Sequence, residues 1–283
     1  GGVPGEGEHV ETIIMPIDEF FSALDGDGFA DAKILIAGHW LKRRLANRPI
    51  EWRLDTAPGT CVEFELSAAP AKRIGYYCGD IGLVKGIDVW VNSENTNMQM
   101  DRLFGDSMSA RIRTLGARFE NLSLIEDTIQ IALLQSLGIG SEIEPGNALD
   151  TTSGALEQSH KVQRLLHVSS VKAQETRDGQ RRVTTDITTV HKCLQSALTR
   201  CRRMHSAWLP RRSMSSIVFP IIGAGQAGLK AEEVVNAMVP MIVDHMRSAA
   251  DCPLQRIYLL AYSPLEIEIC DRILSRHDGL KRV

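Results

Sequence analysis

The chain has 283 residues, 43% apolar and 24% charged, which suits one large globular domain or two of ordinary size. Lys plus Arg number 32 against 35 Asp plus Glu, a formal net charge of −3, so no global attraction to nucleic acid is expected. No apolar run reaches membrane-spanning length and no low-complexity tract occurs, which argues against spanning helices and against disorder.

The six cysteines, Cys61, Cys78, Cys193, Cys201, Cys252 and Cys270, are scattered, with no C-x-x-C pair and no Cys/His cluster at zinc-ligand spacing. Neither a metal nor a resident cofactor is expected, and a reduced, cytoplasmic setting fits best. The N-terminal Gly-Gly-Val-Pro-Gly-Glu-Gly-Glu lacks the basic start and apolar stretch of a signal peptide.

Ile17, Phe20, Phe21 and Leu24 recur at helical spacing and predict a short amphipathic helix. Residues 33–40 read equally as strand or helix. Ile50, Trp52 and Leu54 alternate with Glu51 and Arg53, and Val62, Phe64 and Leu66 alternate with Glu63 and Glu65. Joined by a Pro58-Gly59 turn, the two runs predict a half-buried β-hairpin. Residues 1–69 are thus expected to form an extension of helix plus hairpin, and 70–283 one domain.

From about Arg73 apolar strand candidates at 73–78, 87–91, 164–171, 216–221 and 255–262 alternate with helical patterns near 107–119, 125–137, 185–204, 230–248 and 264–277. This alternation predicts an α/β fold, a mostly parallel sheet with helices on both faces, in three α/β/α layers. Ligands of such sheets sit beyond the carboxyl ends of the strands, so function is sought in the loops that follow them.

The clearest such loop follows the strand at 216–221. Gly223-Ala224-Gly225-Gln226-Ala227-Gly228 joins it to a helix beginning near residues 229–232. Three residues without Cβ let backbone N–H groups approach a phosphate, and the helix N-terminus favours negative charge. A tight turn without a ligand is the competing reading. The loop also spells G-x-G-x-x-G, but the next strand ends Leu260-Ala-Tyr-Ser-Pro264 with no acid for ribose hydroxyls, which disfavours a dehydrogenase.

A second loop group comprises Gly79-Asp80-Ile81 and, after Ile87-Asp-Val-Trp-Val91, the stretch Asn92-Ser-Glu-Asn-Thr-Asn97. Asparagine amides both donate and accept, which suits sugar hydroxyls; Asx turns are the alternative use.

Together these residues resemble the macrodomain family, whose members bind ADP-ribose and related nucleotides and in some cases hydrolyse ADP-ribosyl bonds. The resemblance rests on Gly79-Asp-Ile81, Val91-Asn-Ser-Glu-Asn95, Gly146-Asn-Ala-Leu-Asp-Thr-Thr-Ser-Gly154 before Leu165-Leu-His-Val168, and Phe219-Pro through Gly228. In this order they span about Arg73 to Leu274, roughly 70% of the chain.

The resemblance implies that Asp80 accepts from the adenine amino group with Ile81 packed nearby, and that Tyr262 lies beside the adenine. It implies further that the amides of Gly223, Ala224, Gly225, Gln226, Ala227 and Gly228 hold the diphosphate, and that Asn95 meets the distal ribose with Asn92 in the same stretch. Independently of any family, an aromatic face with a carboxylate acceptor suits adenine, and amides suit a diphosphate.

Two departures fall where hydrolysis takes place in the family. The glycine run that usually follows the asparagine is replaced by a bulkier stretch, Met98 to Ala110, with Gly105 alone, and Ala227 stands where many members place an aromatic. In the replacement loop Asp106 is a candidate base, and Asp106 or Ser107 equally suits a helix N-cap.

Arg177, Arg181 and Arg182, and the group Arg200, Arg202, Arg203, Arg211 and Arg212, are read as solubilising charge, with partner docking as the alternative. His167 and His191 have no nucleophile beside them and are read as structural.

The expected function is binding or sensing of ADP-ribose or a derived adenine diphosphate nucleotide, with bacterial nucleotide-signalled defence as an analogous setting. The alternatives are an ADP-ribosyl hydrolase using Asn95 with Asp106, and an interaction scaffold with a vestigial cleft. No membrane partner is expected; an oligomer is compatible with the N-terminal extension.

Overall fold

The computed structural model describes residues 57–121, 123–138, 140–175, 181–207, 214–248 and 253–283, together with 20, 22 and 23. The chain divides into two compact units, residues 1–51 and 52–283. In the first, Phe20, Ser22 and Ala23 are helical. The expected strand at 50–54, the ambiguous segment 33–40, and Arg177, Arg211 and Arg212 lie outside the described residues.

In the second unit the strands are β1 (Cys61–Leu66), β2 (Ala69–Cys78), β3 (Val89–Asn95), β4 (Arg118–Glu120), β5 (Ser123–Glu126), β6 (Ala148–Thr152), β7 (Arg164–Glu175), β8 (Arg181–Thr184), β9 (Ser216–Pro220), β10 (Arg256–Ala261) and β11 (Leu280–Arg282). The helices are α1 (Met108–Gly116), α2 (Thr128–Leu137), α3 (Leu156–Ser159), α4 (Ile187–Ala207), α5 (Ala231–Ser248) and α6 (Pro264–Ser275). Among the described residues the main sheet runs β11-β1-β2-β10-β9-β3-β7-β6, with β8 on β7. Its centre, from β2 through β7, is parallel, and antiparallel strands finish both sides.

Period-two alternation divides the core between the two faces of this sheet. Val89, Val91, Leu166, Val168, Ile217, Phe219, Ile257 and Leu259 share one buried cluster with residues of α4, α5 and α6. Trp90, Leu165, Val218 and Tyr258 share another with Ile112 of α1, Ile129 and Leu133 of α2 and Leu156 of α3. The three-layer α/β/α architecture follows from that division. Among the described residues no helix is long and apolar enough to cross a membrane.

The strand and helix candidates beyond residue 73 coincide with β2, β3, β7, β9, β10 and with α1, α2, α4, α5 and α6, with shifts of a few residues at the ends. One pairing differs from expectation. β1 pairs antiparallel with β2 through the turn at Ser67 and Ala68, and with β11 on its other side. The Pro58-Gly59 turn leads into β1, with Gly59 N–H donating to the Cys78 carbonyl at 2.7 Å. Both neighbours of β1 set a cation opposite Glu65, Arg73 on β2 and Lys281 on β11, and the second lies more than two hundred residues away, where local periodicity does not reach.

The amino ends of the central strands are tied by one carboxylate. Asp88 Oδ2 accepts from the backbone N–H groups of Ser215 (2.8 Å) and Ser216 (3.0 Å) and from both serine hydroxyls. Its Oδ1 accepts from Gln163 Nε2 at 2.6 Å, and its carbonyl accepts from the N–H groups of Gln163 and Arg164. The Ser215 carbonyl in turn accepts from Gln255 and Arg256. One side chain thereby registers the starts of β3, β7 and β9 and, through Ser215, β10.

Replacing Asp88 by Ala strands two backbone donors and removes several charge-assisted bonds, and is expected to cost about 3 kcal/mol of unfolding free energy in urea titration. A loss below about 0.5 kcal/mol, the size of an ordinary surface change, would contradict this role.

Candidate functional site

β3 and β9 are paired only at Val89 with Ile217 and Trp90 with Val218, whereas β3 follows β7 along its whole length. Beyond residues 90 and 218 the two parallel strands part. A cavity of about 700 Å³ lies between their carboxyl ends, lined by Ser93, Glu94 and Asn95 on one side and Pro220 and Ile221 on the other. This is the crevice at which parallel sheets bind ligands.

The glycine loop forms part of its wall. Gly223 has φ +83°, and a Cβ there would meet Thr185 Cγ2 at 2.9 Å, so glycine is required by both backbone and space. Ala224 N–H donates to the Ile221 carbonyl, Gly228 N–H to Gly225 and Leu229 N–H to Gly223. The N–H groups of Gly225, Gln226 and Ala227 make no hydrogen bond among the described residues. Gly223, Gly225, Gln226 and Ala227 line the cavity. Ala224 instead packs against the core, and Gly228 lies off the lining.

At the end of the cavity nearest β2 and β10 stand Asp80, Ile81 and Tyr262. Asp80 caps the short 3-10 turn Ile81–Leu83, its Oδ1 accepting from Gly82 N–H at 2.7 Å and from Arg111 Nε at 3.1 Å. Tyr262 leaves β10 immediately before a capping box. The Glu266 carboxylate accepts from the N–H groups of Tyr262 and Ser263, and the Ser263 hydroxyl accepts from Glu266 N–H. The Tyr262 side chain is half exposed on the lip.

At the other end Asn95 and Asp106 line the cavity. The Asn95 side chain bridges to Gln99, donating to its carbonyl at 3.3 Å and accepting from its N–H at 3.4 Å. Of the two candidate caps of α1, Ser107 serves, its hydroxyl accepting from Ala110 N–H; Asp106 remains exposed. Asp101 Oδ2 accepts from Ser107 Oγ at 2.6 Å.

The bulky loop that follows Asn95 is held from outside. Gln130 of α2 accepts from Met100 N–H at 2.7 Å and donates to the Met98 carbonyl, while Arg113 of α1 donates to the Met100 and Asp101 carbonyls and pairs with Asp127. Met98 and Met100 are buried in the core.

Asn92 points away from the cavity. It is fully buried, and its Nδ2 donates to Glu94 Oε1 at 2.7 Å and to His167 Nδ1 at 3.3 Å. His167 Nε2 donates in turn to Thr151 Oγ1 at 2.9 Å, since the threonine hydroxyl is itself donated to the Thr152 carbonyl. Burial holds the His167 pKa down at about 3, so the ring is neutral and the tautomer follows from its partners.

Glu94 is the functional candidate that sequence pattern did not single out. It is 4% exposed, yet it lines the cavity. Both its hydrogen bonds, from Asn92 Nδ2 and from Ser109 Oγ, end on Oε1. Burial is the main reason its pKa is pushed up to about 7; Asp101 adds to the rise, while the two donors and Arg113 oppose it. Its only sequence signal is a carboxylate at an inward position of a strand end otherwise filled by short polar residues.

Among the described residues no group of three or more His, Cys, Asp or Glu side chains is placed to hold a metal ion. A second hollow, of about 360 Å³, lies between the start of β6 and α4 and is basic, with Lys192, Arg200 and Arg203 in its wall. Arg200 there pairs with Asp150 at 2.6 Å.

With this geometry the chain is similar in structure to several macrodomains. An Oceanobacillus iheyensis macrodomain mutant with ADPR is 16% identical, the match covering 76% of this chain and 97% of that one at a TM-score of 0.55. The O. iheyensis macrodomain with ADP is 17% identical, with 76% and 95% coverage and a TM-score of 0.55. The Trypanosoma brucei macrodomain in complex with ADP-ribose is 12% identical, with 92% and 86% coverage and a TM-score of 0.52. No family model and no curated protein sequence matches the chain. The fold is that of the macrodomains.

A carboxyl whose pKa is about 7 in the fold and 4.5 when exposed destabilises the folded state only where the unfolded chain would ionise it. That cost is absent below about pH 4.5, grows as pH rises towards 7 and is constant above. The unfolding free energy of Glu94→Gln minus that of wild type is therefore expected to rise across this window in urea titrations. A difference independent of pH would show that Glu94 ionises normally.

Proposed function

We propose that the chain binds ADP-ribose or an ADP-ribose-derived nucleotide in the cavity between β3 and β9. The observation that carries this reading is the row of unpaired N–H groups at Gly225, Gln226 and Ala227, set midway between an aromatic-carboxylate end and a polar end. Free, preoriented amides in a concave wall are the donors that an anionic diphosphate needs, and they lose little freedom on binding.

In this reading Asp80 accepts the adenine amino group, Ile81 and Tyr262 supply apolar contact to the base, and Asn95 meets the distal ribose. Asp80 Oδ2 supports its part, since the internal bonds of that carboxylate end on Oδ1. A second reading, ADP-ribosyl hydrolysis, is favoured by Asn95 and Asp106 lining the same end of the cavity, where a water could be oriented on the distal ribose.

Calorimetric titration with ADP-ribose tests the binding. A Cβ at Gly225 would meet nothing within 4 Å, so Gly225→Glu is expected to fold normally while placing a negative charge among the amides, with affinity reduced by at least about a hundredfold. Asp80→Ala is expected to weaken binding by about 1–3 kcal/mol. Unchanged affinity in both variants would exclude this cavity. For the second reading, mass spectrometry of an incubated ADP-ribosylated substrate should show product, and Asn95→Ala should lower kcat more than it raises Kd; an unaltered substrate would leave binding alone.

A further inference from the structure

The binding reading uses Asp80, Tyr262, the glycine loop and Asn95, and leaves Glu94 without a task. Its surroundings are specific. The buried chain Thr151, His167, Asn92 orients an amide donor onto Oε1, and Ser109 at the start of α1 donates to the same atom. Oε2 makes no hydrogen bond among the described residues, on a side chain 4% exposed that lines the cavity. Oε2 is not among the fully enclosed orphan atoms, so it meets solvent at the cavity, and an occupant that displaces that water has to supply a donor in its place.

The order of the sheet says which part of the occupant that is. Asp80 follows β2, Tyr262 follows β10, the free amides follow β9, and Glu94 ends β3. With paired strands about 4.8 Å apart and β3 spread further from β9 beyond residue 90, Glu94 stands about 14 Å or more across the sheet from the Asp80 end, on the far side of the amides. Charge in the described lining at that end is net negative: Glu94, Asp101 and Asp106 stand against Arg102, and the nearby Arg113 is paired with Asp127.

We propose that Glu94 is a specificity-determining residue that reads what the nucleotide carries beyond its diphosphate. Its Oε2 accepts a hydrogen bond from a sugar hydroxyl there, and its carboxylate, with Asp101 and Asp106, disfavours an anionic terminus. This rests on the cavity being an adenine-diphosphate site. The ligand class is thereby narrowed to nucleotides whose far end is neutral and hydroxylated, as against those that end in a phosphate.

The probes are ADP-ribose and ADP, which share the adenosine and the diphosphate but end in a sugar and in a doubly charged phosphate respectively. The readout is the ratio of their dissociation constants in calorimetry at pH 8. Wild type should prefer ADP-ribose, and Glu94→Gln and Glu94→Ala should each lower that preference about tenfold or more, by removing a charged acceptor and relieving the repulsion of the terminal phosphate. Gln keeps the shape and the acceptor for Asn92 and Ser109, so it serves if Ala fails to fold. A preference unchanged in Glu94→Gln overturns the role of Glu94 while leaving the binding reading intact. Absence of binding by both nucleotides in wild type overturns the binding reading and this inference with it.

Discussion

The site depends on how briefly β3 and β9 are paired. Two registered positions, Val89 with Ile217 and Trp90 with Val218, hold the strands together at their amino ends, and nothing in the sheet joins them after that. Asp88, immediately before the paired positions, fixes the starts of β3, β7 and β9 with one carboxylate. A firm tie at one edge and an early parting at the other make a wedge. Its open side is the cavity, bounded by the glycine loop after β9 and the polar end of β3. The stabilising tie and the candidate site thus occupy opposite edges of the same strands, a division familiar in parallel sheets.

Holding the wedge open brings polar groups into the interior, and each needs a partner. On the β3 side the partners form a line, Thr151 to His167 to Asn92 to Glu94 to Ser109, that runs from a sheet edge to the cavity. His167 is structural, as its sequence context suggested, but its task is to orient the amide that orients Glu94. The neighbouring loop is built on a different plan from a glycine run. Met98 and Met100 are anchored in the core, and Gln130 and Arg113 hold the loop backbone. The replacement is therefore a fixed wall that presents Asp101 and Asp106.

Much of this was legible in the sequence. Apolar runs of five to eight residues broken by helical periodicity located the central strands and the five longer helices. The Gly223–Gly228 turn was marked by its glycines, of which Gly223 and Gly228 take a positive φ. Asp80 and Tyr262 could be placed because each lies within two residues of a strand's carboxyl end. Other features were hidden because they depend on partners far apart in the chain. That β1 pairs with β2 and β11 is decided by the packing of Phe64 and Leu66, not by local alternation. Asn92 reads like Asn95, and only the pleat shows that one faces inward and the other the cavity lip. Glu94 looks like a solvated charge until α1 is folded over it.

A crystal structure of the complex with ADP-ribose is the most direct measurement. The diphosphate should lie on the amides of Gly225, Gln226 and Ala227, the adenine between Asp80 and Tyr262, and a hydroxyl of the distal ribose within hydrogen-bond distance of Glu94 Oε2. A nucleotide seated elsewhere, such as the basic hollow beside Lys192 and Arg203, or one running through the cavity in the reverse direction, would contradict the assignment of the two ends.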